Sequence, residues 1–136
     1  MRRTRRRPRR PRRARPKRPS ARGWSRRLGR ASNVVTCGVK EPWGGHIRRR
    51  TKTAEGRLDV GKWAQVRPGD VLEIRLDDGA VVRRTVARVD RYGDVRSALE
   101  RDLNALLPGV ESVYEGLRIY GAFYDTDRPF LSIHMR

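Results

Sequence analysis

Lys52-Thr53-Ala54-Glu55-Gly56-Arg57-Leu58, preceded by Val39-Lys40-Glu41-Pro42-Trp43, is the stretch on which the reading of this chain turns. It sets cations, carboxylates, a hydroxyl and an indole close together, broken by Pro and Gly. If residues 53–57 run extended, successive side chains point to opposite faces. Thr53, Glu55 and Arg57 then share one face, with Lys52 beside them. A carboxylate next to a guanidinium and a hydroxyl grips a polar, hydrogen-bonding ligand such as a nucleobase or a phosphate. The same spacing also suits a surface strand with a cross-face ion pair, a weak and common feature.

Outward from this stretch the chain reads as strands with inserted helices. Val34–Val39 is an apolar run of strand length. Pro42 suits the first position of a short helix, Trp43 to Arg49. Thr53 to Leu58 is a second strand. Arg67-Pro68-Gly69-Asp70 is a turn with Pro and Gly in type II positions. In Val71–Leu76, Leu72, Ile74 and Leu76 face one way, and Asp77-Asp78-Gly79 closes a hairpin into Val81–Val89. Asp94 caps a helix from Val95 to Leu107, stopped by Pro108-Gly109. Ser112 and Glu115 form a capping-box pattern. The helix it opens carries Val113, Leu117, Tyr120 and Tyr124 at helical spacing, a stripe expected in the core rather than on a ligand surface. Leu131, Ile133 and Met135 alternate in a last strand. The expected class is α+β.

The order and spacing of Lys40-Glu41-Pro42-Trp43, Ile47, Lys52-Thr53-Ala54-Glu55-Gly56-Arg57-Leu58, Gly61 and Gly69-Asp70 resemble the ASCH domain family. That family is a branch of the PUA-like superfamily associated with RNA or other nucleic acid. The resemblance spans about residues 34–136. It implies a small PUA-like β-barrel with two or three inserted helices; residues 1–33, ahead of it, are expected from their composition to be a disordered basic tail. Two departures matter. Arg50 stands near where the family has a Gly, which puts a left-handed turn in doubt or adds charge at the pocket mouth. Glu55 stands where N4-acetylcytidine amidohydrolases of the family carry a Thr nucleophile, and a carboxylate replaces a hydroxyl poorly in acyl transfer. The resemblance therefore supports the pocket more than that reaction.

Charge is placed unevenly. Residues 1–30 hold 16 of the 34 Lys and Arg and none of the 15 Asp and Glu, so most of the net +19 sits there. With Pro8, Pro11, Pro16 and Pro19 and almost no apolar side chains, this segment is expected to be disordered. The phosphate-binding candidates are Arg2, Arg3, Arg5, Arg6, Arg7, Arg9, Arg10, Arg12, Arg13, Arg15, Lys17 and Arg18. Clustered arginines neutralise phosphates and release counterions without sequence specificity. A nuclear-import signal or a misread upstream frame would look the same. No run of 18 apolar residues marks a membrane span, and no apolar h-region marks a signal peptide. Cys37 is the sole cysteine and suits a small core position;. His46 and His134 lack Cys or carboxylate partners at ligand spacing, so neither a metal nor another cofactor is expected.

The ligand-binding candidates are Lys40, Trp43, Lys52, Thr53, Glu55, Arg57 and Tyr92. Trp43 can stack a base, whereas Trp63 is expected in lid or core packing. The leading expectation is a monomeric, intracellular, non-catalytic module that binds nucleic acid, RNA more than DNA. In it the pocket reads a base or short single strand and the tail adds phosphate affinity. The alternative is a small hydrolase on a modified nucleoside or RNA, amidohydrolase- or ribonuclease-like, with Lys52 and Glu55 as acid and base. A basic packaging protein with a vestigial pocket is a third reading. Nucleus, nucleoid and virus particle are not separable from the residues.

Overall fold

Alternation decides the strands. In the computed structural model, which describes residues 31–136, Leu72, Ile74 and Leu76 of β3 (Val71–Leu76) are buried while the residues between them are not. β1 (Val34–Val39) pairs with β3 in parallel, from Val34 opposite Val71 to Val39 opposite Leu76. Residues 77–80 turn β3 back into β4 (Val81–Tyr92), with Gly79 at φ 84°. β4 runs to Tyr92, three residues beyond the expected end at Val89, because it serves two partners. Its first part pairs with β3, and its second with β5 (Phe130–Met135), across an irregularity between Val86 and Arg88. An extra residue in one strand bends it and sharpens the twist. β2 (Ala54–Leu58) adds to the far side of β5. The strand order is β1-β3-β4-β5-β2, a five-stranded sheet curled into a half-barrel with β1 and β2 at its edges.

The sheet buries both faces. Leu131 and Ile133 of β5 join Leu72, Ile74, Val86 and Ile47 inside the curl. Phe130, on the opposite face, packs with Leu99, Leu106 and Tyr120 of the covering helices. Those helices are α2 (Val95–Leu106) and α3 (Val113–Gly121). Both start where their caps predict: Asp94 Oδ1 accepts from Ser97 N at 2.8 Å, and Ser112 Oγ from Glu115 N at 3.1 Å. Each such cap satisfies a backbone donor that a helix start otherwise leaves unpaired. The structure is thus α+β, with three α-helices among the described residues inserted in a curled half-barrel of strands.

α1 (Trp43–Arg48) hangs on Ile47, which is fully buried. Pro42 stands at its N-cap after a cis Glu41–Pro42 bond, one position earlier than expected. Arg50 then takes φ 63°, so the left-handed turn survives without glycine. The N–H groups of Thr51 and Lys52 both reach His46 O, at 2.9 and 3.1 Å. That turn delivers Lys52 to the start of β2. Ser32–Arg136 forms one compact unit. The phosphate-binding candidates from Arg2 to Arg18, and the disorder expected of residues 1–30, lie outside the described residues.

Candidate functional site

The two edge strands face each other across a cleft of about 250 Å³. Gly38 and Val39 line it from β1 and Lys40 from the residue just after, Glu55, Gly56 and Arg57 from β2, and Ile119, Tyr120, Phe123 and Tyr124 from α3 and the loop after it. Trp43, Lys52 and Leu107 complete the lining. Side chains bridge the edges: Arg57 Nη2 donates to Gly38 O at 3.0 Å, and Lys62 Nζ to Thr36 O at 2.6 Å.

Lys52 is 3% exposed. Its ammonium donates to Ala54 O at 2.7 Å and to Leu106 O. Two of its three N–H groups are therefore spent on the scaffold. Burial lowers its pKa, against the pull of the Glu55 carboxylate. Glu55 is 6% exposed, and its Oε1 accepts from Gly56 N at 3.1 Å. Its Oε2 has no hydrogen-bond partner in the protein. Arg57 Nε lies 3.7 Å from Glu55 Oε1, a charge contact too long for a hydrogen bond, so Nε is also without one;. Burial is the largest single influence on Arg57 and opposes its charge, but Glu55, Tyr124, Cys37 and Tyr120 together outweigh it and the pKa is raised. The guanidinium lies 4.6 Å from the centroid of Trp63, which holds it from behind;.

Tyr120 Oη is the third buried polar atom without a partner on this cleft. Burial, then the nearby Glu55 carboxylate, push its phenol well above the ordinary range. It stays protonated and able to donate. Tyr124 is raised too, by burial, with Arg57 pulling the other way. Aromatic rings make the walls. Tyr120 and Tyr124 stack at 6.3 Å, Tyr124 meets Phe123 at 6.5 Å, and Phe123 stands 68% exposed at the rim.

Of the candidates read from the sequence, Lys40, Trp43, Lys52, Glu55 and Arg57 come together here. Thr53 does not: its side chain is exposed and does not line the cleft. The strand starts only at Ala54, so alternation does not carry back to Thr53, and Lys52 reaches the cleft from the preceding turn. Thr53 instead ties the scaffold, its N–H to Ala105 O and its C=O from Met135 N. Tyr92 is also elsewhere, donating to Asp102 Oδ2 at 2.8 Å. Arg50 makes the turn but does not line the cleft. Trp63 packs on the core as expected, while also carrying Arg57.

Sequence reasoning missed the helix side of the site. Tyr120 and Tyr124 were expected as core, and they are core on one side and cleft wall on the other. Phe123 had one available signal, an aromatic directly after a helix that gives it nothing to cover. His134 was expected without carboxylate partners. Pairing of β4 with β5 brings Asp90 Oδ2 to 3.1 Å and the α2 residue Asp102 Oδ2 to 3.5 Å of its Nε2. Arg88 also binds Asp90 at 3.0 Å, and none of these residues lines the cleft.

The described lining residues include no Ser, Thr, Cys or His. The arrangement can hold a flat ligand between aromatic rings and meet its polar edge with one acceptor and several donors. It holds no aliphatic hydroxyl, thiol or imidazole for acyl transfer.

Solved structures share this fold. The crystal structure of hypothetical protein PH0355 matches with a TM-score of 0.67 at 29% identity, over 76% of this chain and 97% of that one. The solution structure of protein PF0455 from Pyrococcus furiosus matches with a TM-score of 0.59 at 31% identity, over 76% of this chain and 96% of that one. The crystal structure of ASCH from Zymomonas mobilis has the same fold, with a TM-score of 0.59 over 76% of this chain and 67% of that one, at 12% identity. No family model and no curated protein matches the chain.

Proposed function

The chain belongs to the ASCH domain family, and from that premise we propose that it is a non-catalytic module for single-stranded nucleic acid, RNA before DNA. In this reading the cleft takes one nucleobase and the basic N-terminal segment supplies phosphate affinity. The observation that carries it is the trio Glu55 Oε2, Arg57 Nε and Tyr120 Oη, buried polar atoms without hydrogen-bond partners on one small cleft. Such groups are rare in folded proteins and cost about 1–3 kcal/mol each. A base is planar, stacks on aromatic walls, and carries donors and acceptors along one edge, so its chemistry complements this set of donors and acceptor. A phosphate does not fit the same place, because the Glu55 carboxylate repels it. The phosphates belong outside, with exposed Lys40 and the arginines of residues 1–30.

The absence of Ser, Thr, Cys and His from the described lining favours binding over an amidohydrolase reaction. Lys52 points the same way. Its ammonium is committed to two backbone carbonyls, which makes it a fixed donor rather than a free base. As a monomeric binder of this kind, the protein acts inside the cell, wherever its nucleic acid is held.

The test is titration of short single-stranded RNA and DNA oligonucleotides, and of free nucleosides, into the chain and its Arg57→Ala variant. Circular dichroism serves as the folding control. A nucleoside bound by the wild type and lost by folded Arg57→Ala supports the reading. Equal binding by both leaves the basic segment as the functional element and refutes a base-reading cleft.

A further inference from the structure

Phe123 is an anomaly of the described surface. Large apolar side chains reach high exposure at only a few described positions, Val34, Val60, Val81, Tyr114 and Phe123, and of these Phe123 alone lines the cleft. It sits just past the end of α3, in the segment that returns to β5. Its ring continues a series that begins in the core: Phe130 against Tyr120 at 5.1 Å, Tyr120 against Tyr124 at 6.3 Å, Tyr124 against Phe123 at 6.5 Å. The inner members are packed on both sides. The outermost is in contact with Tyr124 and otherwise faces solvent.

We infer that Phe123 is a second subsite, a stacking platform for the nucleotide adjacent to the one held in the cleft, so that the unit recognised is a dinucleotide. This rests on the base-binding reading above and extends it. Three observations choose the occupant. The platform is continuous with a cleft whose unpartnered polar atoms call for a base. The cleft, at about 250 Å³, has room for one ring system, so a neighbouring base must lie outside it. Lys40, the exposed cation among the residues that line the cleft with Phe123, is the group available to meet a linking phosphate. Any base suits the platform, because every base has a π-face. Selectivity therefore stays with the cleft, while Phe123 adds affinity only when a second base is present.

The experiment titrates full-length wild type, Phe123→Ala and Phe123→Trp with the four ribonucleoside monophosphates and the four homodinucleoside monophosphates. The N-terminal segment is the same in all three proteins and cancels in the comparison. For the base that binds best, the wild type should favour the dinucleotide over its mononucleotide by roughly 5- to 150-fold, the range for one stacked base. In Phe123→Ala that preference should collapse to about one while mononucleotide affinity holds, and Phe123→Trp should restore it. A dinucleotide preference unchanged in Phe123→Ala overturns the subsite and leaves base binding intact. Loss of mononucleotide affinity in Phe123→Ala overturns it too, since the ring would then belong to the first site. Absence of binding to every probe in the wild type overturns both this inference and the reading beneath it.

Discussion

Gly56 offers a stringent test of how the cleft floor is packed. A Cβ built there would stand 2.5 Å from Phe130 Cζ, 2.5 Å from Tyr120 Oη and 2.9 Å from Tyr120 Cζ. Carbon atoms at rest sit about 3.5–4.0 Å apart, so each contact is short by roughly an ångström. Neither ring has slack: Phe130 is fully buried and Tyr120 is 6% exposed. Overpacking of this kind costs about 1–3 kcal/mol, and the lower chain entropy of Ala returns about 0.4–1 kcal/mol. Gly56→Ala should therefore destabilise the protein by about 1–2 kcal/mol in urea unfolding followed by circular dichroism. Tyr120→Phe removes one of the short contacts together with a hydroxyl that has no partner. On its own it should be neutral to stabilising, since it removes a buried hydroxyl without a partner;. In the Gly56→Ala background it should recover about 0.5 kcal/mol or more beyond additivity, a coupling that a double-mutant cycle isolates. A Gly56→Ala protein as stable as wild type, or a strictly additive double variant, would refute the packing argument.

Three further outcomes are expected. Because burial depresses the Lys52 pKa below 10.5, the unfolded chain holds that proton over a pH range where the folded chain has released it. Stability from this group therefore rises as pH climbs from the depressed value towards 10.5, and Lys52→Met should flatten that rise in unfolding curves taken up to pH 10;. Burial, then the Glu55 charge, raise the Cys37 thiol from 9.0 to about 11. Iodoacetamide should then modify native Cys37 about 100-fold more slowly than the unfolded chain at pH 8, and a rate equal to that of the unfolded chain would contradict the burial. Deleting residues 1–30 should leave a folded domain and remove most of the salt dependence of oligonucleotide binding. Contact with about 6–10 phosphates corresponds to a loss of about 10³–10⁵ in affinity between 50 and 200 mM salt, and identical salt slopes before and after deletion would exclude it.

The fold was legible because its signals are local. Leu72, Ile74 and Leu76 alternate, Asp94 and Ser112 cap, and Gly69 and Gly79 mark turns; each needs only its neighbours in sequence. The β2 half of the site was legible for the same reason, since Glu55 and Arg57 are two residues apart on one strand. Thr53 was misplaced because alternation says nothing about where a strand begins. Tyr120 and Tyr124 were read as core, which they are on one side, but their cleft side was not legible, because a helical stripe records which residues leave water, not which element they meet. Tyr120 covers Gly56 through a contact between α3 and β2 that no local pattern announces. The cluster of Asp90, Asp102 and His134 was invisible on the same ground, since its members come from three separate elements.

The bridges from Arg57 to Gly38 and from Lys62 to Thr36 have a consequence for solubility. β1 and β2 are edge strands, and an edge strand presents a row of unpaired backbone groups that can template another strand. In a fully closed barrel that hazard disappears. In this half-barrel two long cations lie over carbonyls of the β1 edge, and each brings a charge that an incoming strand would have to desolvate. The same side chains that leave the cleft open to a flat ligand thus close it to a polypeptide. Truncating them trades more than affinity: it turns a protected edge into one available for chain-to-chain pairing.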